Sequence, residues 1–182
     1  MLCSGSAHKI CLVLVDLGLK SAFDLLLKEA WNPEQAAMGN STLPTVLVKL
    51  NIMSHTPISE LLLREVDRFD VKSVGGMGLG AGPLISAVVL KGNMKGFYIH
   101  KKAKENGIGK RVEGHFEPPA LVLEDVINKG KSVMKAIDII GRRYIAGVVC
   151  IVDREVDRNL LQQNGIKYYS LFKHSDFAAQ LQ

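Results

Sequence analysis

The stretch Ala120–Asp138, ALVLEDVINKGKSVMKAID, carries three physical signatures in a row. Ala120–Leu123 is a short apolar run of the kind that forms a strand buried on both faces. Glu124 and Asp125 follow, two carboxylates where such a strand should end. Asn128-Lys129-Gly130-Lys131-Ser132 then makes a small polar loop, and Val133, Met134, Ala136, Ile137 and Ile140 recur at helical spacing. A loop-to-helix junction points backbone N–H groups outward and favours an anion, with help from the helix dipole. Carboxylates cannot help to hold a phosphate, so the acidic pair must serve another part of the same ligand, such as sugar hydroxyls. A Walker A loop needs a second glycine ahead of the Gly-Lys-Ser, and a dinucleotide fingerprint needs three glycines; neither is present. A sugar phosphate fits the stretch better.

Outward from this unit the chain alternates. On its N-terminal side, Pro57–Phe69 has an amphipathic helical pattern, and Val71–Gly75 reads as a strand running into Gly75-Gly76-Met77-Gly78-Leu79-Gly80-Ala81-Gly82-Pro83. Leu84–Leu90 reads as a helix that Pro83 can start, and Gly96–His100 as a strand. On its C-terminal side come a strand at Tyr144–Val152, a helix at Arg158–Asn164, a strand at Ile166–Leu171 and a terminal helix from Ser175. The first third is less regular. Met1–His8 reads as an unstructured end, Ile10–Leu27 fits strand or helix, Trp31–Pro44 is loop-like, and Thr45–Leu50 has strand character. Alternating elements with buried-type strands imply an α/β fold, a mostly parallel sheet flanked by helices on both faces. Residues 1–182 read as one domain, with 1–44 its less regular N-terminal region, since no linker or repeat divides them.

Composition narrows the classes. With 47% hydrophobic and 23% charged residues the chain is globular, not disordered. A net charge of +5 suits polyanionic small ligands, while the absence of a basic helix or of aromatic-spaced Lys/Arg argues against nucleic acid. Cys3, Cys11 and Cys150 are odd in number and lack metal-ligand spacing, as expected of reduced thiols in a cytoplasmic protein. The apolar run Ile10–Leu19 contains Asp16 and is too short to span a membrane.

Three strand ends carry candidate chemistry, and ligands in such sheets sit beyond the carboxyl ends of the strands. One is Glu124–Ser132. Another is the glycine-rich run 75–82, where the backbone can approach a ligand closely, as a pyrophosphate-binding turn requires. The third is Asp153-Arg154, at the end of the strand Tyr144–Val152, where the residues alone suit a surface ion pair. Between them lies Lys101–Gly114, where Lys101, Lys102, Lys104, Lys110 and Arg111 are punctuated by glycines. Such a segment can close over and neutralise a diphosphate leaving group.

The order hydrophobic-Glu-Asp-Val-Ile-x-x-Gly-x-Ser resembles the phosphoribosyl pyrophosphate (PRPP) motif of type I phosphoribosyltransferases. Together with Tyr98–Gly114 (YIHKKAKENGIGKRVEG) and Val149–Asn164, it resembles orotate phosphoribosyltransferase. The resemblance implies transfer of phosphoribosyl from PRPP to orotate, giving orotidine 5′-monophosphate and pyrophosphate, a step of pyrimidine synthesis. It implies Mg²⁺ carried mainly on PRPP oxygens and water, no dedicated protein metal ligands, no membrane partner, and a homodimer whose flap reaches across. By the same resemblance Glu124 and Asp125 hold the ribose hydroxyls and, with Lys104, form the catalytic set. Val126, Ile127, Asn128, Lys129, Gly130, Lys131 and Ser132 line the 5′-phosphate cradle. His100, Lys101, Lys104 and Asn106 face the diphosphate, and Asn128 and Arg154 face orotate.

The sequence departs from the family pattern at several positions. His100 stands where Arg is usual, Asn106 where His is common, and Asn128 where Thr is usual. Leu79 and Gly80 replace an aromatic and a Lys or Thr, and Val48 and Leu50 replace an Asp and an Arg in a region expected to form a small N-terminal flap. Two alternatives stand beside the orotate activity: a PRPP- or nucleotide-binding protein that has lost turnover, and a phosphoribosyltransferase for another base.

Overall fold

A computed structural model describes residues 56–102, 111–156 and 159–178. The expectations for the first 55 residues, including Val48 and Leu50, lie outside the described residues, as do Lys104 and Asn106. The chain divides into two compact units after Leu61, and the whole sheet belongs to the second, Leu62–Gln182.

The elements run in the order α1 (Thr56–Val66), β1 (Ser73–Met77), α2 (Ala81–Gly92), β2 (Lys95–Ile99), β3 (Val112–Gly114) and β4 (Ala120–Ile127). They continue with α3 (Lys131–Ile140), a 3₁₀ turn at Arg142–Tyr144, β5 (Ile145–Asp153), α4 (Leu160–Gln163), β6 (Tyr168–Lys173) and α5 (His174–Ala178). The six strands lie in the order β3-β2-β1-β4-β5-β6. All pairs are parallel except β2–β3, which is antiparallel. This is the expected mostly parallel sheet flanked by helices.

The topology places the site. From β1 the chain moves through α2 to β2 on one side; from β4 it moves through α3 to β5 on the other. Right-handed crossovers in opposite directions put α2 and α3 on opposite faces. The packing agrees: Val133, Ala136 and Ile137 of α3 share a core cluster with Val122, Phe97 and Val148, and no α2 residue belongs to it. The direction reverses between β1 and β4, so the crevice for a ligand opens there.

Two strand boundaries differ from expectation, and for the same reason. β4 does not stop at Leu123; it pairs with β5 as far as Ile127↔Asp153, so Glu124 and Asp125 lie within the strand. β1 likewise runs on to Met77, through two glycines read as the start of a loop. A Cβ on Gly75 would fall 2.2 Å from the Phe97 ring, and one on Gly76 would fall 2.5 Å from both the Ala81 side chain and the Leu123 carbonyl. Those glycines serve sheet and helix packing, and only Gly78–Gly80 are left to form the turn. β3 was not expected at all. It is a three-residue strand inside the charged stretch, given its conformation by pairing with β2.

Cys150 sits at the middle of β5 opposite Glu124, fully buried and unbridged. Burial, then the charges of Asp153, Glu124 and Asp125, push its thiol well above the usual range. Among the described residues no helix is long and apolar enough to cross a membrane.

Candidate functional site

The acidic pair is the centre of the site. Glu124 is 6% exposed and Asp125 8%, far more buried than strand-end carboxylates in solvent. Removal from water, and then the neighbouring Asp125, push the Glu124 carboxyl up to about 8. The Ser132 hydroxyl donates to Glu124 Oε2 at 3.2 Å and partly offsets this. A protonated or hydroxyl-contacting carboxyl is therefore the favoured state of Glu124 at neutral pH. Hydrogen-bond donors from a polyol would meet that requirement.

Beyond Ile127 the chain turns through Asn128 and Lys129, both exposed, to Gly130. Gly130 is the N-cap of α3 at φ 77°, in the left-handed region that a side chain resists. A Cβ there would meet Asn159 Oδ1 at 3.2 Å and Leu161 Cγ at 3.3 Å. The turn is thus held tight from behind while no side chain caps the helix in front. N–H groups in the first turn of a helix have no partner within that helix and suit an anion. Lys131 and Ser132 are exposed at that end. Ile127 contributes differently from its neighbours: its side chain is 1% exposed in the core, and its carbonyl accepts the Arg154 N–H at 2.9 Å. Val126 is half-buried in the strand.

At the end of β1, Gly78 adopts φ 92°, and Leu79 is 81% exposed. A Cβ on Gly78 would lie 4.0 Å from Lys101 Nζ, so the Lys101 ammonium overhangs the glycine turn. Lys101 itself is exposed just past β2. The His100 N–H donates to the Arg111 carbonyl at 2.8 Å, and Arg111 Nη2 donates to the Lys101 carbonyl at 3.1 Å. The base of the charged stretch is therefore stitched closed. His100 Nε2 lies 3.0 Å from a Glu113 carboxylate oxygen, an approach in distance without hydrogen-bond alignment. Arg154 follows β5, half-buried, its N–H bound to the carbonyl of Ile127, the residue before Asn128.

The structure thus brings Glu124, Asp125, residues 128–132, Lys101 and Arg154 to the carboxyl ends of four adjacent strands, β2, β1, β4 and β5. The arrangement offers an anion cradle, a pair of buried acceptors and a cation over a glycine turn. Among the described residues no group of three or more His, Cys, Asp or Glu is placed to hold a metal ion. The acidic pair does supply hard oxygen donors of the type Mg²⁺ accepts, alongside oxygens brought by a ligand.

No family model matches the chain. The chain is 35% identical to the orotate phosphoribosyltransferase of Aquifex aeolicus over 130 residues, which are 65% of this chain and 70% of that protein. It is 30% identical to the orotate phosphoribosyltransferase of Leptospira biflexa over 140 residues, 71% of this chain and 74% of the relative. The chain belongs to the orotate phosphoribosyltransferase family. Among solved structures, Mycobacterium tuberculosis orotate phosphoribosyltransferase in complex with Fe(III) dicitrate matches with a TM-score of 0.56 at 26% identity, covering 69% of this chain and 78% of that one. The same enzyme in complex with PRPP shares the fold with a TM-score of 0.64 at 22% identity, covering 88% and 91%.

Membership of this family accounts for the strand–acid pair–turn–helix at β4 and α3. Sequence reasoning missed Asn159, 3% exposed, whose side chain caps α4 by accepting the Leu161 N–H at 2.9 Å. The helix expected at Arg158–Asn164 begins after it, at Leu160. The signal was available, since Asn is a preferred N-cap residue. Tyr168 was missed too, and nothing local marks it.

Proposed function

We propose that the protein transfers phosphoribosyl from PRPP to orotate, giving orotidine 5′-monophosphate and pyrophosphate. The observation that carries the reading is the meeting of three features at the β1/β4 reversal: the buried acidic pair, the open N-terminus of α3 and the Lys101 ammonium over the glycine turn. Each suits one part of PRPP, and the relatives' shared name supplies the acceptor.

The roles follow from the chemistry of each group. Backbone N–H groups at Lys131–Val133 receive the 5′-phosphate, and the Ser132 hydroxyl exchanges Glu124 for a phosphate oxygen. Glu124 and Asp125 hydrogen-bond the ribose hydroxyls, and the negative charge of Asp125, which also raises the Glu124 carboxyl, favours the positive charge that develops on the ring as the glycosidic bond breaks. Lys101, joined by His100, Lys104 and Asn106, offsets charge on the departing diphosphate. Arg154 takes the orotate carboxylate in a bidentate contact, and Asn128 hydrogen-bonds the ring. Glu124 and Asp125 would offer oxygen donors to a Mg²⁺ carried by PRPP, and that ion would supply charge neutralisation for the diphosphate. The same reading makes the protein a cytoplasmic homodimer of pyrimidine synthesis, its second subunit walling the diphosphate from water.

The deciding experiment incubates the pure protein with PRPP and Mg²⁺ and offers orotate, uracil, adenine or hypoxanthine in turn. Pyrophosphate release with orotate alone is the expected result. Release only with another base reassigns the acceptor, and PRPP binding without release makes the protein a binding paralogue. His100 beside Glu113, where the family uses Arg, is the observation that favours that second outcome.

A further inference from the structure

The base-side and phosphate-side turns belong to different strand–helix units, yet one chain of side chains runs between them. Asp153, the last residue of β5, is 6% exposed and engaged at both oxygens. Its Oδ1 accepts the Glu155 N–H at 2.9 Å, closing a turn around Arg154 in which Glu155 is held at φ 52°. Its Oδ2 accepts the Tyr168 hydroxyl at 2.8 Å. That hydroxyl in turn accepts from Asn159 Nδ2 at 3.4 Å and Gln162 Nε2 at 3.2 Å. Asn159 and the residues after it back the other turn. The Leu160 N–H donates to the Lys129 carbonyl at 3.2 Å, and Asn159 Oδ1 closes the space behind Gly130. Burial, and then the bond to Asp153, push the Tyr168 phenol up to about 12, so it keeps the proton it donates. A cavity of about 290 Å³ borders the group, lined by Asp153, Asn159, Gln162, Tyr168 and Lys173 among others.

We infer that Tyr168 is a positioning residue, its hydroxyl joining the Arg154 turn to the Gly130 turn through Asp153 and Asn159. The inference rests on the function proposed above, which seats orotate at one turn and the ribose phosphate at the other. Group transfer depends on holding both reactants in register, and small misplacements cost large factors in rate or affinity. No group in this path touches a reacting atom. It sets where two binding turns sit.

Two variants separate the links. Tyr168→Phe removes only the hydroxyl and should raise the KM for orotate and for PRPP each about fivefold with kcat held within about twofold, the scale of one lost hydrogen bond. Asn159→Ser keeps an oxygen to cap α4 but loses the amide donor. It should raise the PRPP KM and the dissociation constant of ribose 5-phosphate, measured by calorimetry, without moving the orotate KM. Combining the two should not multiply the PRPP effect. Tyr168→Phe with both KM values unchanged, or with a lower thermal midpoint and a lower kcat alone, would reduce Tyr168 to a structural residue and overturn the inference. An orotate KM that moves in Asn159→Ser would break the proposed path. Should the unaltered protein turn over no orotate yet bind ribose 5-phosphate, the proposed function fails by itself. The ribose 5-phosphate affinity of Tyr168→Phe then decides the inference, a loss supporting it and no change overturning it.

Discussion

The two halves of the proposed PRPP site are built in opposite ways. The ribose-phosphate half lies at the end of β4, a strand paired on both sides, with its carboxylates in the core and its turn locked at Gly130. The diphosphate half hangs on the β2–β3 edge, where His100 and Glu113 side chains are 24% and 47% exposed and Lys101 reaches over the glycine turn from the surface. Burial is what separates them. In the first half, exclusion of water changes the chemistry of a carboxyl and pre-positions its acceptors. In the second, the Lys101 ammonium remains in solvent, where a single pair contributes about 0–1 kcal/mol. The inner half is therefore rigid and strict toward its ligand, and the edge half is tolerant. Of the departures from the family pattern, those at Leu79, Gly80 and His100 fall in that half.

Mutations can break this contrast. Asp125→Asn removes a buried charged acceptor with little change of volume and should lower kcat/KM for PRPP by about 10- to 150-fold, or ~1.5–3 kcal/mol. Steady-state kinetics on the folded variant checks it, and unchanged PRPP kinetics would show the acidic pair to be decorative. Gly130→Ala forces a side chain into the left-handed region against Asn159 and Leu161, and should cost roughly 1–2 kcal/mol in urea unfolding. An unshifted midpoint would mean that the turn is not locked.

Acidity sharpens the contrast further. The Glu124 carboxyl is raised from 4.5 to about 8 on folding, so the folded state holds the extra proton between those values. Its contribution is fully present below pH 4.5 and is lost as the pH rises toward 8, by at most about 1.4 kcal/mol per unit. Glu124→Gln should flatten that slope in urea titrations across the same window; a slope that persists would place its origin elsewhere. The smallest effect belongs to the edge. His100→Arg places a permanent charge at this edge and should lower the PRPP KM by only about two- to fivefold, on the scale of about 1 kcal/mol for a weakly held pair. A gain as large as the Asp125 loss would erase the distinction between the halves.

Much of this was legible in the order of residues. The alternation of elements, the Gly130 turn and the three strand-end groups are local patterns, and local patterns survive folding. What was not legible depended on neighbours distant in sequence. Glu124 and Asp125 marked a strand end because charges seldom continue a buried strand, yet pairing with β5 carries β4 four residues further. Gly75 and Gly76 looked like a loop because nothing in the sequence announces that the Phe97 ring and the Leu123 carbonyl fill their side-chain space. Val112–Gly114 has no strand pattern and becomes one only against Phe97–Ile99. The Asp153–Tyr168–Asn159 path could not be read at all, since each bond in it joins groups whose partners the fold alone selects.

Cys150 gives the central strands a clock. Its side chain lies in the core cluster that α3 covers, fully buried, and its thiol is held protonated, so an alkylating reagent reaches it only when that packing opens. Site-resolved mass spectrometry of Cys150 labelling would then time those openings directly in the native protein. Excess PRPP should slow the clock by a factor of one plus the ratio of free PRPP to its Kd, because the helix that covers the sulfur begins at the proposed phosphate cradle.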